Sequence, residues 1–172
     1  MARPKEKRNM AVSFQTSGPS RTRASRPSLY ERDFFLWTRE QAQLLRERGT
    51  DASGLDTVKL AEEIEDLGSS QQSEIENRLC VLLAHLLKWQ FQPSHRSNSW
   101  RATIAEQRMR IARRLRQSPS LRSYPAEVLD EEYALARLNA VADTNLSLDT
   151  FPLSCPFGIE DILDPDFFPG ID

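Results

Sequence analysis

Between residues 79 and 115 the chain carries a dense apolar run, LCVLLAHLLKWQFQP, and then SNSWRATIAEQRMRIARRL. At 100° per residue, Ile75, Leu79, Leu82, Leu83, Leu86 and Leu87 spread over roughly 140° of arc. Val81, Ala84 and Trp89 cover much of the remainder. A helix that is apolar nearly all round must be enclosed by other elements, so this one is expected at the centre of the fold. Pro93 ends it, and Ser97 or Asn98 caps a following helix whose stripe is Trp100, Ile104, Ile111 and Leu115. Trp89, Phe91 and Trp100 gather around the turn between the two.

The flanking segments supply the enclosing elements. Tyr30, Phe34, Trp37, Gln41, Leu44 and Leu45 share about 100° of arc, giving a first helix that Gly49 stops. Asp56 is a suitable N-cap for a second helix with the stripe Leu60, Ile64 and Leu67, ended or kinked by Gly68. Ser69 with Gln72 three residues on reads as a capping box for the central third helix. Ser118-Pro119 closes the fourth, and Pro125 with Glu127, Asp130, Glu131 and Glu132 opens a fifth that fades near Asp143. Beyond it, Pro152, Pro156, Pro165 and Pro169 among scattered Phe and Leu predict an extended strap with one short helix around Ile159 to Leu163. No period-two alternation appears. The expected fold is all-α, a compact helical bundle of about five helices with an irregular C-terminal strap.

Residues 1–28 carry seven Arg/Lys, one Glu and few bulky apolar groups, the composition of a disordered basic arm. Residues 29–172 are expected to form a single helical domain. The formal charge of −2 implies no bulk attraction to nucleic acid or membrane. It hides strong segregation, however. Residues 29–87 hold twelve acids against six bases, residues 88–122 nine bases against Glu106, and residues 123–172 eleven acids against Arg137. Pairing of the basic middle with its acidic flanks is the simplest consequence. Cys80 and Cys155 lack metal-ligand or redox spacing. No apolar run is long enough for a membrane span, and no signal-type apolar core follows the basic start, so a cytoplasmic location is expected.

The blocks YERDFFLWTREQAQLL, LAEEIEDLG, LLAHLLKWQFQP, SWRATIAEQRMRIARRL and FPLSCPFGIEDILDPDFFP, in that order, resemble a bacterial family known as domain of unknown function 29. The resemblance covers about residues 29–169. It implies a prokaryotic, largely helical, cytoplasmic protein, and it brings no activity, ligand or catalytic residue with it.

Several residues invite chemical roles. Gln107 lies in the middle of the fourth helix's apolar stripe, with Arg108 at its edge. A polar group there must find partners or cost on the order of 1–3 kcal/mol. A structural network joining Glu63, His85, Gln107 and Arg108 is the economical expectation, Glu63 bordering the second helix's stripe. Arg101, Arg110, Arg113, Arg114 and Arg116 form a basic face, the candidate polyanion contacts. Glu63 and His85, with Asp33, are also the pieces of a metal-dependent hydrolase. Yet no His-x-x-x-His or Glu-x-x-His pairing accompanies them, so neither metal nor cofactor is expected. The leading expectation is a non-enzymatic helical interaction protein with an unidentified protein partner or with a second copy of itself. Nucleic-acid binding through residues 1–28 and the fourth-helix arginines is the alternative, and the hydrolase the second.

Overall fold

The computed structural model describes residues 26–49 and 54–170. All regular structure among them is helical. Seven α-helices run in the order α1 (Leu29–Arg32), α2 (Phe34–Arg48), α3 (Thr57–Phe91), α4 (Asn98–Gln117), α5 (Tyr124–Glu127), α6 (Leu129–Thr144) and α7 (Ile159–Leu163). Short 3-10 turns at Pro93–His95, Pro119–Leu121 and Leu148–Thr150 join them. The disordered arm expected over residues 1–28 lies outside the described residues except for its last three. Of these, Ser28 caps α1 in a reciprocal capping box with Glu31.

Several boundaries fall where local chemistry puts them. Gly49 stops α2 at φ 64°, Asp56 caps α3 through the Lys59 N–H at 3.0 Å, and Ser97 caps α4. The expected first helix is broken at Asp33, whose extended backbone (φ −157°) separates α1 from α2. Its carboxylate caps α2 at Leu36 N (3.0 Å) and also accepts from Ser120 N (2.6 Å) and Ser120 Oγ (2.8 Å). One buried side chain thus fixes the base of α2 to the turn after α4. The expected fifth helix is likewise split, into α5 and α6, at Val128.

The larger departure is α3. The expected second and third helices are one continuous helix of 35 residues, about 52 Å long at 1.5 Å per residue. Gly68 does not stop it. A Cβ built on Gly68 would lie 2.4 Å from Thr38 Oγ1, so this glycine is where α2 crosses α3 at close range. Glycine serves both as helix terminator and as a site of close approach, and here the second use applies.

The two halves of α3 are buried differently. From Ile75 to Trp89 it carries Leu79, Cys80, Leu82, Leu83, Ala84, Leu86 and Leu87, all buried, with Ile104 and Ile111 of α4 and Tyr133, Ala136 and Ala140 of α6 in the same core cluster. Before Ile75 only Thr57, Ala61 and Gly68 are buried, and α2 contributes Thr38 and Ala42 opposite them. The α2–α3 hairpin is therefore joined through a narrow seam of small residues.

That seam can be tested by a mutant cycle. Gly68→Ala adds a better helix former, yet its methyl meets Thr38 Oγ1, so overpacking should cost about 1–3 kcal/mol in denaturant melts. In a Thr38→Ala background the same change should be neutral, or stabilise by up to about 1 kcal/mol. An equal cost in both backgrounds would place the seam elsewhere.

Candidate interaction surface

The seam decides what α2 and α3 leave at the surface. Of the stripe expected to be the buried face of the first helix, Tyr30 and Leu44 are exposed and Phe34, Trp37, Gln41 and Leu45 are half-buried; the fully buried positions are Thr38 and Ala42. On α3 likewise Leu60 and Leu67 are exposed and Ile64 is half-buried, while Thr57, Ala61 and Gly68 are buried. Exposure is 54% for Tyr30, 49% for Leu44, 42% for Leu60 and 53% for Leu67.

Both stripes lie on one side of the hairpin. Measured around each helix from the seam, Glu65 of α3 and Arg39 and Arg46 of α2 flank it on one edge, and they do meet there. Arg46 donates to both carboxylate oxygens of Glu65 at 2.8 and 2.5 Å, and Arg39 lies 4.0 Å away. The hydrogen bonds from Arg46 hold the half-buried Glu65 carboxyl below its ordinary range. The apolar stripes occupy the opposite edge. Tyr30, Phe34 and Trp37 pack against one another at 4.9 to 5.9 Å between ring centroids. At their foot a cleft of about 330 Å³ is lined by Tyr30, Glu31, Phe34, Gln71, Arg114 and Gln117. A continuous apolar strip thus runs from Leu44 and Leu60 near the hairpin tip to a cleft at the junction with α4.

The polar network takes a different form from the expected one. Gln107 is half-buried, and its Oε1 accepts from Arg78 Nη1 at 3.2 Å. Arg78 also donates to Glu74 at 2.8 Å, Arg114 pairs with the other oxygen of Glu74, and Arg114 donates to Gln71 at 3.2 Å. Burial would raise the Glu74 carboxyl, but hydrogen bonds from Arg114 and Arg78 outweigh it and bring it down. This ladder across the α3–α4 interface uses Gln107 but neither Glu63 nor His85.

Glu63 is exposed, and Arg108 does not meet it. Arg108 is buried and donates through Nε to Ile162 O (2.8 Å), through Nη1 to Pro165 O (3.2 Å) and through Nη2 to Phe167 O (2.8 Å). An irregular, proline-bearing strap cannot satisfy its own carbonyls, so a planar five-donor group serves them instead. The pattern recurs along the strap. Tyr133 Oη donates to Pro152 O at 2.8 Å, Arg137 to Leu148 O and Phe151 O, and Arg96 to Pro169 O. Phe168 closes the end, 4.9 Å from the Trp89 ring and under the guanidinium groups of Arg101 (5.0 Å) and Arg108 (5.5 Å). The basic middle therefore meets the acidic strap mainly through backbone carbonyls and aromatic rings, not through carboxylates.

Of the basic face, Arg114 is committed to Glu74, Arg110 pairs with Glu106 one turn away at 2.7 Å, and Arg101 lies over Trp89 and Phe168. Arg113 and Arg116 are exposed. The hydrolase constellation is not assembled. Glu63 and His85 sit 22 residues apart on one continuous helix, about 33 Å along its axis, and Asp33 is committed to capping.

His85 is half-buried with Nδ1 2.9 Å from Val81 O. Burial first, and Lys88 further, lower its pKa from 6.5, while the Val81 carbonyl and Asp143 oppose. Sequence patterning did not single out its neighbour Lys88, which is buried, pairs with Asp143 at 2.7 Å and lies over the half-buried Trp100. Glu132, read only as one of the acids opening the fifth helix, is buried, and its carboxyl is raised by burial and by Glu76 and Glu131.

The family described as "Domain of unknown function DUF29" matches residues 29–168. The chain belongs to this family. None of the curated proteins matches it. Among solved structures, an α-helical protein of unknown function from Rhodospirillum rubrum ATCC 11170 is similar, with a TM-score of 0.64 and 21% identity over 83% of this chain and 93% of that one. At that identity the likeness concerns the DUF29 fold alone. No helix among the described residues is long and apolar enough to cross a membrane.

Two expectations follow. Arg108→Lys keeps the charge but cannot span three carbonyls, so it should lower unfolding free energy by about 2 kcal/mol or more. Its effect should be lost once the strap is deleted. Separately, unfolded His85 binds protons more readily than the folded one. Stability should therefore fall as pH drops through 6.5 toward the lower folded value. His85→Gln should remove that part of the slope between pH 7 and acid melts.

Proposed function

We propose that this chain is a non-enzymatic interaction protein, and that its partner docks on the apolar side of the α2–α3 hairpin. The observation carrying the reading is that both hairpin helices bury small residues and leave their large apolar stripes at the surface on one edge. Contiguous exposed apolar surface of this kind, rimmed by polar groups, marks interaction sites. Of the candidate polyanion contacts, Arg114 is held by Glu74, Arg110 by Glu106, and Arg101 lies over Trp89 and Phe168, which supports this reading over nucleic-acid binding. A cytoplasmic location fits the free thiols of Cys80 and Cys155.

Photo-crosslinking in the native host tests it. A crosslinker at Leu67 should give discrete protein adducts, whereas one at Leu153, the most exposed large apolar residue among the described residues at 85%, should not. Equal labelling at both positions, or none at Leu67, would overturn the assignment.

A further inference from the structure

The rim of the apolar strip bears on what covers it. Beyond Trp37 and Leu44 the outer edge of α2 carries Glu40 and Glu47; beyond Leu60 and Leu67 the outer edge of α3 carries Asp56 and Glu63. All four acids are exposed. Glu31 adds to this charge at the cleft. Much of the hairpin's positive charge is placed elsewhere. Arg39 and Arg46 meet Glu65 on the opposite edge, Lys59 pairs with Glu62, and Arg114 at the cleft is held by Glu74. Arg48, near the tip, is an exposed cation on this side. The result is an apolar strip two helices wide between two acidic borders.

We infer that this strip receives a cationic amphipathic helix from a partner protein, with leucine-like residues at i, i+3, i+4 and i+7 and Lys or Arg on both flanks. This rests on the interaction reading above and names the chemistry of the occupant. Three considerations select it. A helix laid along two helices completes a three-helix packing, the usual way an unpartnered pair of amphipathic stripes is covered. From Leu60 to Gln71 the strip is about 16 Å long, matching roughly three turns of helix. The 330 Å³ cleft at its foot has the volume for one large side chain, with Tyr30 and Phe34 as its apolar wall and Glu31, Gln71, Arg114 and Gln117 as its polar one. The borders then decide the charge of the occupant. A second copy of this chain would set Glu40, Glu47 and Glu63 against the same acids, and like-charge juxtaposition opposes association. Basic flanks answer both borders.

The full-length protein should be titrated with two synthetic helical peptides of about 14 residues, a length that covers the strip. They share one leucine stripe, flanked by Lys in one and by Glu in the other, and calorimetry reads the affinity. The Lys-flanked peptide should bind about tenfold or more tighter, a gap that shrinks with added salt. Leu60→Ser with Leu67→Ser should weaken that binding about tenfold while leaving the fold intact, because both side chains are already half exposed. Glu40→Gln, Glu47→Gln and Glu63→Gln together should close the gap between the peptides. Equal binding of the two peptides, or a gap unaffected by the three glutamines, overturns the cationic helix. A concentration-dependent dimer abolished by Leu67→Ser overturns it in favour of a second copy. Tighter peptide binding after removal of residues 1–25 overturns it in favour of the chain's own basic segment. In the first two of these cases the Leu67 crosslinks of the interaction reading survive, whereas coverage by the chain's own segment turns them into crosslinks within one chain. Loss of those crosslinks, by contrast, removes both.

Discussion

Thr38 against Gly68 is the contact on which the layout of the hairpin depends. With no Cβ on α3 at this point, the backbone of α2 comes close enough that Thr38, Ala42, Ala61 and Thr57 fill the seam. A close seam built from small side chains is narrow. It leaves no room between the helices for Trp37, Leu44, Leu60 or Leu67, which are turned to one edge. Arg39, Arg46 and Glu65 take the other edge, where solvent screening makes their attraction a minor stabilising influence. Exposure of the large residues is thus a geometric consequence of the small ones.

The C-terminal half of the chain is organised by a second constraint, the supply of hydrogen-bond donors to strap carbonyls that its irregular backbone leaves unpaired. Arg108, Arg137, Arg96 and Tyr133 reach seven strap carbonyls between Leu148 and Pro169. These anchors hold Phe151, Phe157 and Ile162 in the core cluster with α3, α4 and α6. Burial lowers the pKa of Arg108, and the carboxylates of Asp164 and Asp166 offset part of that effect. The acids of the strap therefore act on the arginine at a distance, while its carbonyls hold it directly.

Much of the fold could be read from the sequence because local chemistry has local consequences. Asp56, Ser97, Gly49 and Pro93 end or start helices by themselves, and the all-round apolar character of residues 75–89 placed them in the centre. What could not be read has identifiable causes. Gly68 has two uses that the sequence does not distinguish without knowing that Thr38 lies opposite. Periodicity shows which face of a helix is apolar, not whether anything covers it, so the stripes of α2 and α3 were expected inside. Arg108 was recognised as needing partners, but backbone carbonyls leave no residue pattern to search for, and Glu63 was named in their place. Gln107, read in one network with Arg108, Glu63 and His85, accepts instead from Arg78, which also holds Glu74 across the same interface.

The division of α3 into a half largely enclosed by the core and a one-sided half also bounds how strongly the hairpin can hold a partner. Burying a large aliphatic side chain contributes about 1.5–3 kcal/mol when it starts fully exposed. Tyr30, Leu44, Leu60 and Leu67 start about half covered, so their combined gain is roughly 3–6 kcal/mol. Lost translational and rotational freedom costs an estimated 4–15 kcal/mol on association. Apolar contact along the strip therefore offsets that cost incompletely. An anchor in the cleft beside Phe34, and attraction to the glutamates of the borders, must contribute the remainder. The charge of the borders thus bears on whether binding occurs at all, as well as on which partner is chosen. A partner lacking either feature would form only fleeting encounters with this face, which allows an apolar strip to remain open on a folded chain.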